Sequence, residues 1–384
     1  MSQLSTLINS LQNPLLDLES SGQSHVLEQI EMLLSEGSLH DSSVWAGHMN
    51  PSIDSSALLG QLLARSHNGN LLSPELYPQL LAIEKQLIGW FCELFGQHDG
   101  HFTHGSSYAN LEALWQARDS AQHSSKIVYG SEAAHYSIIK ACQILGLEFQ
   151  AIPTNEQGQL DCQSLYQACH SQQPIAIVAT AGTTASGAMD PIERCIEIAD
   201  EFNCWCHVDA AWGGALILLP EQDYLLGIDR ADSICFDPHK ALGQPRPCSI
   251  ILYQQAISLM TDIDIDYLSS PPKKTLSGSY GGELFLPLWS SLLDGDLLLT
   301  QLEHRLNQAG EFYRALKQQT DWQLFLSPSG IVCFKTVVNS DLSSLEKRGI
   351  LSRSKIKGED VWRVVFASHK TSSARLIEAL SPYF

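Results

Sequence analysis

Between about residue 100 and residue 255 the chain alternates short apolar runs with amphipathic stretches, and few folds accommodate that alternation. The runs 127–129, 149–152, 175–180, 205–209, 234–236 and 249–252 are apolar or β-branched. They show little alternation between apolar and polar positions. A strand that reads as continuously apolar is buried on both faces, as happens in a parallel sheet covered by helices. Between several of these runs lie the segments 110–121, 134–145, 162–170 and 192–201, which read as amphipathic helices. Strands and helices in this succession predict an α/β fold with a mostly parallel central sheet.

The flanks read differently. Over residues 1–40, apolar positions such as Leu4, Ile8, Leu11 and Leu15 recur at helical spacing, and a second helical run covers 26–34. Residues 37–51 read as irregular, and helices follow over 58–64 and 76–94, the latter with Pro74 near its start. After Pro271-Pro272-Lys273-Lys274 the pattern predicts a long helix over 284–316. Strands at 323–326, 331–335 and 362–366 and a last helix at 372–380 complete a small α+β lobe. With 384 residues the chain exceeds the usual size of a single core. Its expected parts are a helical segment 1–65, a large α/β domain 66–283 and a small α+β domain 284–384.

Acidic residues number 42 against 23 basic ones, for a formal net charge of −19. That balance argues against nucleic acid, whose phosphates need clustered Lys and Arg. Residues 1–20 have neither a basic start nor a continuous apolar stretch, and no uncharged apolar run approaches the ~18 residues of a membrane span. With ten scattered cysteines, these features predict a cytoplasmic protein with free thiols. Cys204, Cys206 and His207 invite a metal reading. Strand alternation puts the two cysteines on one face and the histidine on the other, and no second ligand pair lies nearby, so no metal is expected.

Two strand ends carry the candidate chemistry. In SICFDPHK an apolar strand stops at Asp237-Pro238, and Lys240 follows. An amine at such an end is partly desolvated, which lowers its pKa and frees it to attack a carbonyl. In CWCHVDAAWGG a carboxylate, Asp209, stands inside an apolar run. It is either half of a buried ion pair, a capping group, or a functional acid. A strand-end lysine with a strand-end aspartate is the pair that pyridoxal phosphate (PLP) needs, one for the imine and one for the pyridine nitrogen. Gly105-Ser106-Ser107 before a helix is an N-cap or an anion cradle. TAGTTASGAMD (180–190) is a Gly-rich turn or a wall for a flat ligand. His135 opens a helix, as a surface residue or as a ring set against a planar cofactor.

The blocks HGSSYANLEALWQAR, SEAAHYSIIKACQILG, GTTASGAMDPIE, HVDAAWGGA and DPHK, in that order over about residues 100–245, resemble the group II PLP-dependent decarboxylases. These are the glutamate, aromatic amino acid and diaminobutyrate decarboxylases. Weaker similarity extends from SHNGNLLSPE (66–75) to WRVVFASHKT (362–371). The resemblance implies the aspartate-aminotransferase-like fold (fold type I), a homodimer with sites at the subunit interface, and residues 1–65 at that interface. It implies Lys240 as the Schiff-base lysine, Asp209 as partner of the ring nitrogen and His135 as the stacking histidine. Ser106, Ser107 and His239 fall at phosphate-side positions, and Thr184 and Ala211 line the cofactor. Arg363 matches an arginine near the substrate carboxylate, or is an ordinary strand arginine; His48 falls in a segment that approaches the substrate in relatives, or in a turn. Tyr267 and Tyr280 are candidate proton donors. The chain departs from the family in its short segment 262–282, in Ala241-Leu242 after the lysine, and in Ser106 where a glycine is common. Decarboxylation of an L-amino acid is the implied reaction. C–C lyase chemistry, transamination and a silent PLP-binding homologue are the alternatives.

Overall fold

The structure, a computed structural model, describes residues 31–36, 41–220, 223–258, 273–337 and 341–384. β1 (Asp99–Thr103), β2 (Ile127–Ser131), β3 (Glu148–Ile152), β4 (Ala176–Thr180), β5 (Trp205–Asp209), β6 (Ser233–Phe236) and β7 (Ser249–Tyr253) form one sheet. Its seven strands lie in the order β1-β7-β6-β5-β4-β2-β3. From β3 to β6 neighbours pair in parallel, while β7 is antiparallel to both β6 and β1. This is the mostly parallel sheet the apolar runs predict.

Every residue of β2, β4, β6 and β7 is buried, which explains the missing alternation. Consecutive side chains instead enter two different apolar layers. Val128 and Val178 join Leu114, Ile138 and Ala141 of the helices Ser106–Ser120 and Tyr136–Leu145. Their neighbours Tyr129 and Ile177 join Leu165 and Ile196 of the helices Cys162–Ser171 and Ile192–Glu201. The sequence pattern misses β1 because DGHFT is largely polar. That strand is accommodated by pairing: buried His101 lies with its Nε2 2.7 Å from Glu112 Oε2.

Two expectations need correction. The helix predicted over 284–316 is broken into a 3-10 turn, Gly282–Leu284, and the helices Leu286–Leu292 and Leu297–Gln319. The break falls at Asp294-Gly295-Asp296, where Gly295 takes φ +65°, a left-handed conformation that ends a helix. The small lobe also holds one more strand than expected. β8 (Gln323–Leu326), β9 (Ile331–Lys335), β10 (Ser352–Ile356) and β11 (Glu359–Val365) form an antiparallel sheet ordered β10-β11-β9-β8. β10 reads SRSKI and has only its polar pattern to announce it. The N-terminal helical predictions fall largely outside the described residues; 31–36 are helical, and the helices Ser55–His67 and Pro78–Phe95 follow.

The lobe's two faces explain its place. Val332, Phe334 and Val364 pack with Phe312 and Leu316, whereas Ile331, Cys333 and Val365 pack with Trp212 just beyond β5. Residues 41–54 run alongside: the Ala46 carbonyl accepts the Val365 N–H at 2.7 Å. The lobe therefore sits at the carboxyl ends of the parallel strands, where ligands bind in open α/β sheets. There Thr180 pairs with Asp209, and Asp209 with Cys235.

Candidate active site

Lys240 reaches the site because β6 stops at Phe236 and Pro238 opens a single helical turn, Pro238–Ala241. Its Nζ forms an ion pair with Asp237 Oδ2 at 2.9 Å, and its side chain keeps 20% of its surface open, so a small molecule can reach it. Asp237 also holds the start of the helix Ser106–Ser120. Its Oδ1 accepts the Ser106 N–H at 3.1 Å and its Oδ2 the Ser106 hydroxyl at 2.7 Å. Burial pushes the Asp237 carboxyl up, but Lys240 and His239 reverse the sign and hold it below the ordinary value. For Lys240, burial favours the neutral amine. Asp237, with Asp209, outweighs it and holds the pKa above that of a free lysine. The expectation of a lowered lysine pKa is thus corrected: Asp237, three residues back, keeps the amine charged.

Asp209, at the end of β5, is 4% exposed. Its Oδ1 accepts the Ala211 N–H at 3.2 Å and its Oδ2 accepts Asn110 Nδ2–H at 3.1 Å. Asn110 is the hub of a buried hydrogen-bond chain whose directions follow from its amide. Nδ2 donates to Asp209 and, at 2.9 Å, to Ser137 Oγ, so Oδ1 must accept from His207 Nε2–H at 2.8 Å. His207 Nδ1 then accepts the Ser233 hydroxyl at 2.9 Å, and Ser233 in turn accepts Trp205 Nε1–H at 2.8 Å. Burial pushes the His207 pKa well down, which keeps the ring neutral as this chain requires. At the other end Ser137, having accepted from Asn110, donates its hydroxyl to His135 Nδ1 at 2.7 Å. His135 caps the helix Tyr136–Leu145, and its proton is left on Nε2. Burial lowers its pKa as well.

Ser106, His135, Thr184, Asp209, Ala211 and Lys240 line one cavity. Met49, Thr180 and Trp212 line it too. Thr180 Oγ1 and Trp212 Nε1 are buried there without a partner among the described residues. Ser107 and His239 stand apart from this wall. Ser107 is exposed at the helix start, and His239 is buried, donating Nδ1–H to the Cys248 carbonyl at 2.6 Å. Arg363 lines an adjoining, wider pocket that shares His135 and Thr184 with the cavity. It donates to Ser352 Oγ at 3.1 Å, to the Gly47 carbonyl at 3.2 Å and to the Thr184 carbonyl, and no carboxylate pairs with it among the described residues. His48 is exposed, its ring 6.0 Å from that of Trp45, and lines neither pocket. Tyr280 donates its hydroxyl to Glu84 at 3.2 Å and is not part of the cavity wall; Tyr267 lies outside the described residues.

The residues fit a flat, phosphate-bearing cofactor. An amine and a buried carboxylate share the cavity with two unpartnered polar atoms. At its edge Gly105, φ +113°, precedes a helix N-terminus, and a Cβ there would meet nothing within 4 Å. Open backbone at a helix start is suited to a phosphate.

Comparison with known proteins bears on the family and the fold. The pyridoxal-dependent decarboxylase conserved domain matches residues 11–337. The cysteine sulfinic acid decarboxylase of Mus musculus is 31% identical over 273 residues, covering 64% of this chain and 55% of that protein. The chain thus spans little more than half the length of the curated relatives it matches. Among solved structures, Oryza sativa TDC with PLP and tryptamine superposes with a TM-score of 0.83 at 18% identity, over 99% of this chain and 96% of that one. Catharanthus roseus tryptophan decarboxylase, in complex with L-tryptophan, gives 0.77 at 22% identity, over 88% and 82%. These likenesses show the fold-type-I architecture.

Proposed function

Because the chain belongs to the pyridoxal-dependent decarboxylase family, we propose that it binds PLP at Lys240 and decarboxylates an L-amino acid to the amine and CO2. The observation that carries this reading is one cavity walled by Lys240, Asp209 and His135 together. Lys240 would hold the cofactor through its amine, and Asp209 would face the ring nitrogen. His135 would lie against the ring. Ser106 and Ser107, at the helix start, would take the phosphate, with His239 behind them. Thr184 and Ala211 would bound the ring. When bound, PLP supplies an electron sink for the pair left on Cα as CO2 departs.

The chain's own residues set the conditions for that chemistry. Asp209, fixed by Asn110 and the Ala211 N–H, lines the cavity and would hold a proton at the ring nitrogen. Ser137 fixes the His135 ring through Nδ1, so that ring offers a neutral face rather than a charge. Asp237 accepts a hydrogen bond from the charged Lys240 amine at 2.9 Å and fixes its position in the cavity wall. Arg363, buried in the pocket wall and pinned by three neutral partners, has no carboxylate partner among the described residues and is suited to a substrate carboxylate. Orientation of the bond to be broken selects the reaction.

The proposal extends to a cytoplasmic homodimer with the site at its interface and the parts 1–65, 66–283 and 284–384. Support comes from the acidic charge and from the open Leu58, Leu62 and Leu63 on the helix Ser55–His67. The test of function is product analysis. The protein, with PLP, is incubated with a panel of amino acids including cysteine sulfinate and diaminobutyrate, and products are identified by mass spectrometry. CO2 and the matching amine are expected; a keto acid or an aldehyde fragment as main product overturns the reading.

A further inference from the structure

Arg305 sits on the inner face of the helix Leu297–Gln319 and is 3% exposed. Burial lowers its pKa only to about 10, so it is charged at neutral pH. A buried charge is costly unless compensated. Other arginines of the chain, such as Arg230 and Arg353, pair with carboxylates at the surface. Among the described residues Arg305 has only neutral partners. Its Nη1 donates to the Phe366 carbonyl at 3.1 Å, and its guanidinium carbon lies 5.0 Å from the centre of the Trp212 ring. Its Nε is wholly buried with no partner among the described residues. No ion pair joins it to a carboxylate among the described residues. Asp54, beside the pocket residue His369, faces its Nε2 at 3.9 Å.

A pocket lies against this guanidinium, walled by Ser52, Leu242, Gly243, Gln301 and His369. It has room for about one water-sized group. Water would satisfy the open N–H groups but leave the charge. An anion does both.

We propose that a small inorganic anion of the chloride class binds in this pocket against Arg305. The seat lies behind the Lys240 cavity: Trp212, which carries the guanidinium, also lines that cavity. The residues 241–243 of the pocket wall follow Lys240 directly.

Thermal unfolding in sodium chloride against sodium gluconate at equal ionic strength reads the interaction. Chloride should raise the midpoint saturably, by about 1–3 °C once in tenfold excess over its dissociation constant. Arg305→Gln should lose that response. Independently of any variant, bromide-soaked crystals of the wild type should give an anomalous peak within hydrogen-bonding distance of Arg305. No bromide there overturns the proposal, as does a chloride response that Arg305→Gln retains.

Discussion

Replacing Asn110 with alanine should cost the protein about 3–5 kcal/mol of stability, far more than one exchanged amide usually does. The magnitude follows from what is left behind. His207 Nε2–H, now 2.8 Å from Asn110 Oδ1, would become an orphaned donor in a fully buried place. Such a donor costs about 1–3 kcal/mol. Asp209 would lose the 3.1 Å bond to its Oδ2, and a hydrogen bond to a charged group contributes about 1.5–3 kcal/mol. Urea unfolding of the cofactor-free protein measures the loss as a lower midpoint at unchanged slope. Since Asn110 reaches His135 only through Ser137, Asn110→Ala and Ser137→Ala should be non-additive by more than about 0.5 kcal/mol. A loss under about 1 kcal/mol, or strict additivity, would refute the chain of bonds as drawn.

The remaining expectations concern charge. Asp209→Ala should bind PLP more weakly and turn over slower by about 10²-fold or more, in spectroscopic titration and steady-state kinetics; near-normal rates would remove its role at the ring. The raised pKa of Lys240 gives stability that is present below the ordinary lysine value of about 10.4 and lost as pH climbs through the folded value. The depressed pKa of Asp237 gives stability present above about 3.9 and lost as pH falls through its folded value. Unfolding midpoints of the cofactor-free protein should therefore fall at both extremes, and Lys240→Met should abolish the alkaline fall; an unchanged alkaline limb would contradict the ion pair. Arg363→Gln should raise KM for the amino acid by about tenfold or more with a smaller change in kcat, the mark of lost substrate binding.

Much of this was legible in the sequence because burial writes itself into strands. β2, β4, β5 and β6 announce themselves as apolar runs, and the residues at or just past their ends, Asp209 and Lys240, stand out against them. What stayed hidden depends on pairing across the chain. Ser106 and Asp237 meet over 131 residues and Asn110 and Asp209 over 99, and no local spacing signals such partners. For the same reason the lysine's environment was misread. Desolvation is predictable from an apolar strand, whereas the carboxylate that overrides it is recognised only when Asp237 is seen to curl back by one helical turn. β1 was missed because its His101 is satisfied by Glu112, a partner in the next helix. The break in the expected 284–316 helix did have a signal, the Gly295 flanked by two aspartates, which outweighs the apolar periodicity on either side.

The central claim is that Lys240 is the amine that takes the cofactor. Borohydride reduction of the PLP-loaded protein, followed by digestion and mass spectrometry, tests it directly. One phosphopyridoxyl group per chain, on the peptide containing Lys240, is the predicted result. Labelling of another lysine at full stoichiometry, or no covalent label at all, would contradict it.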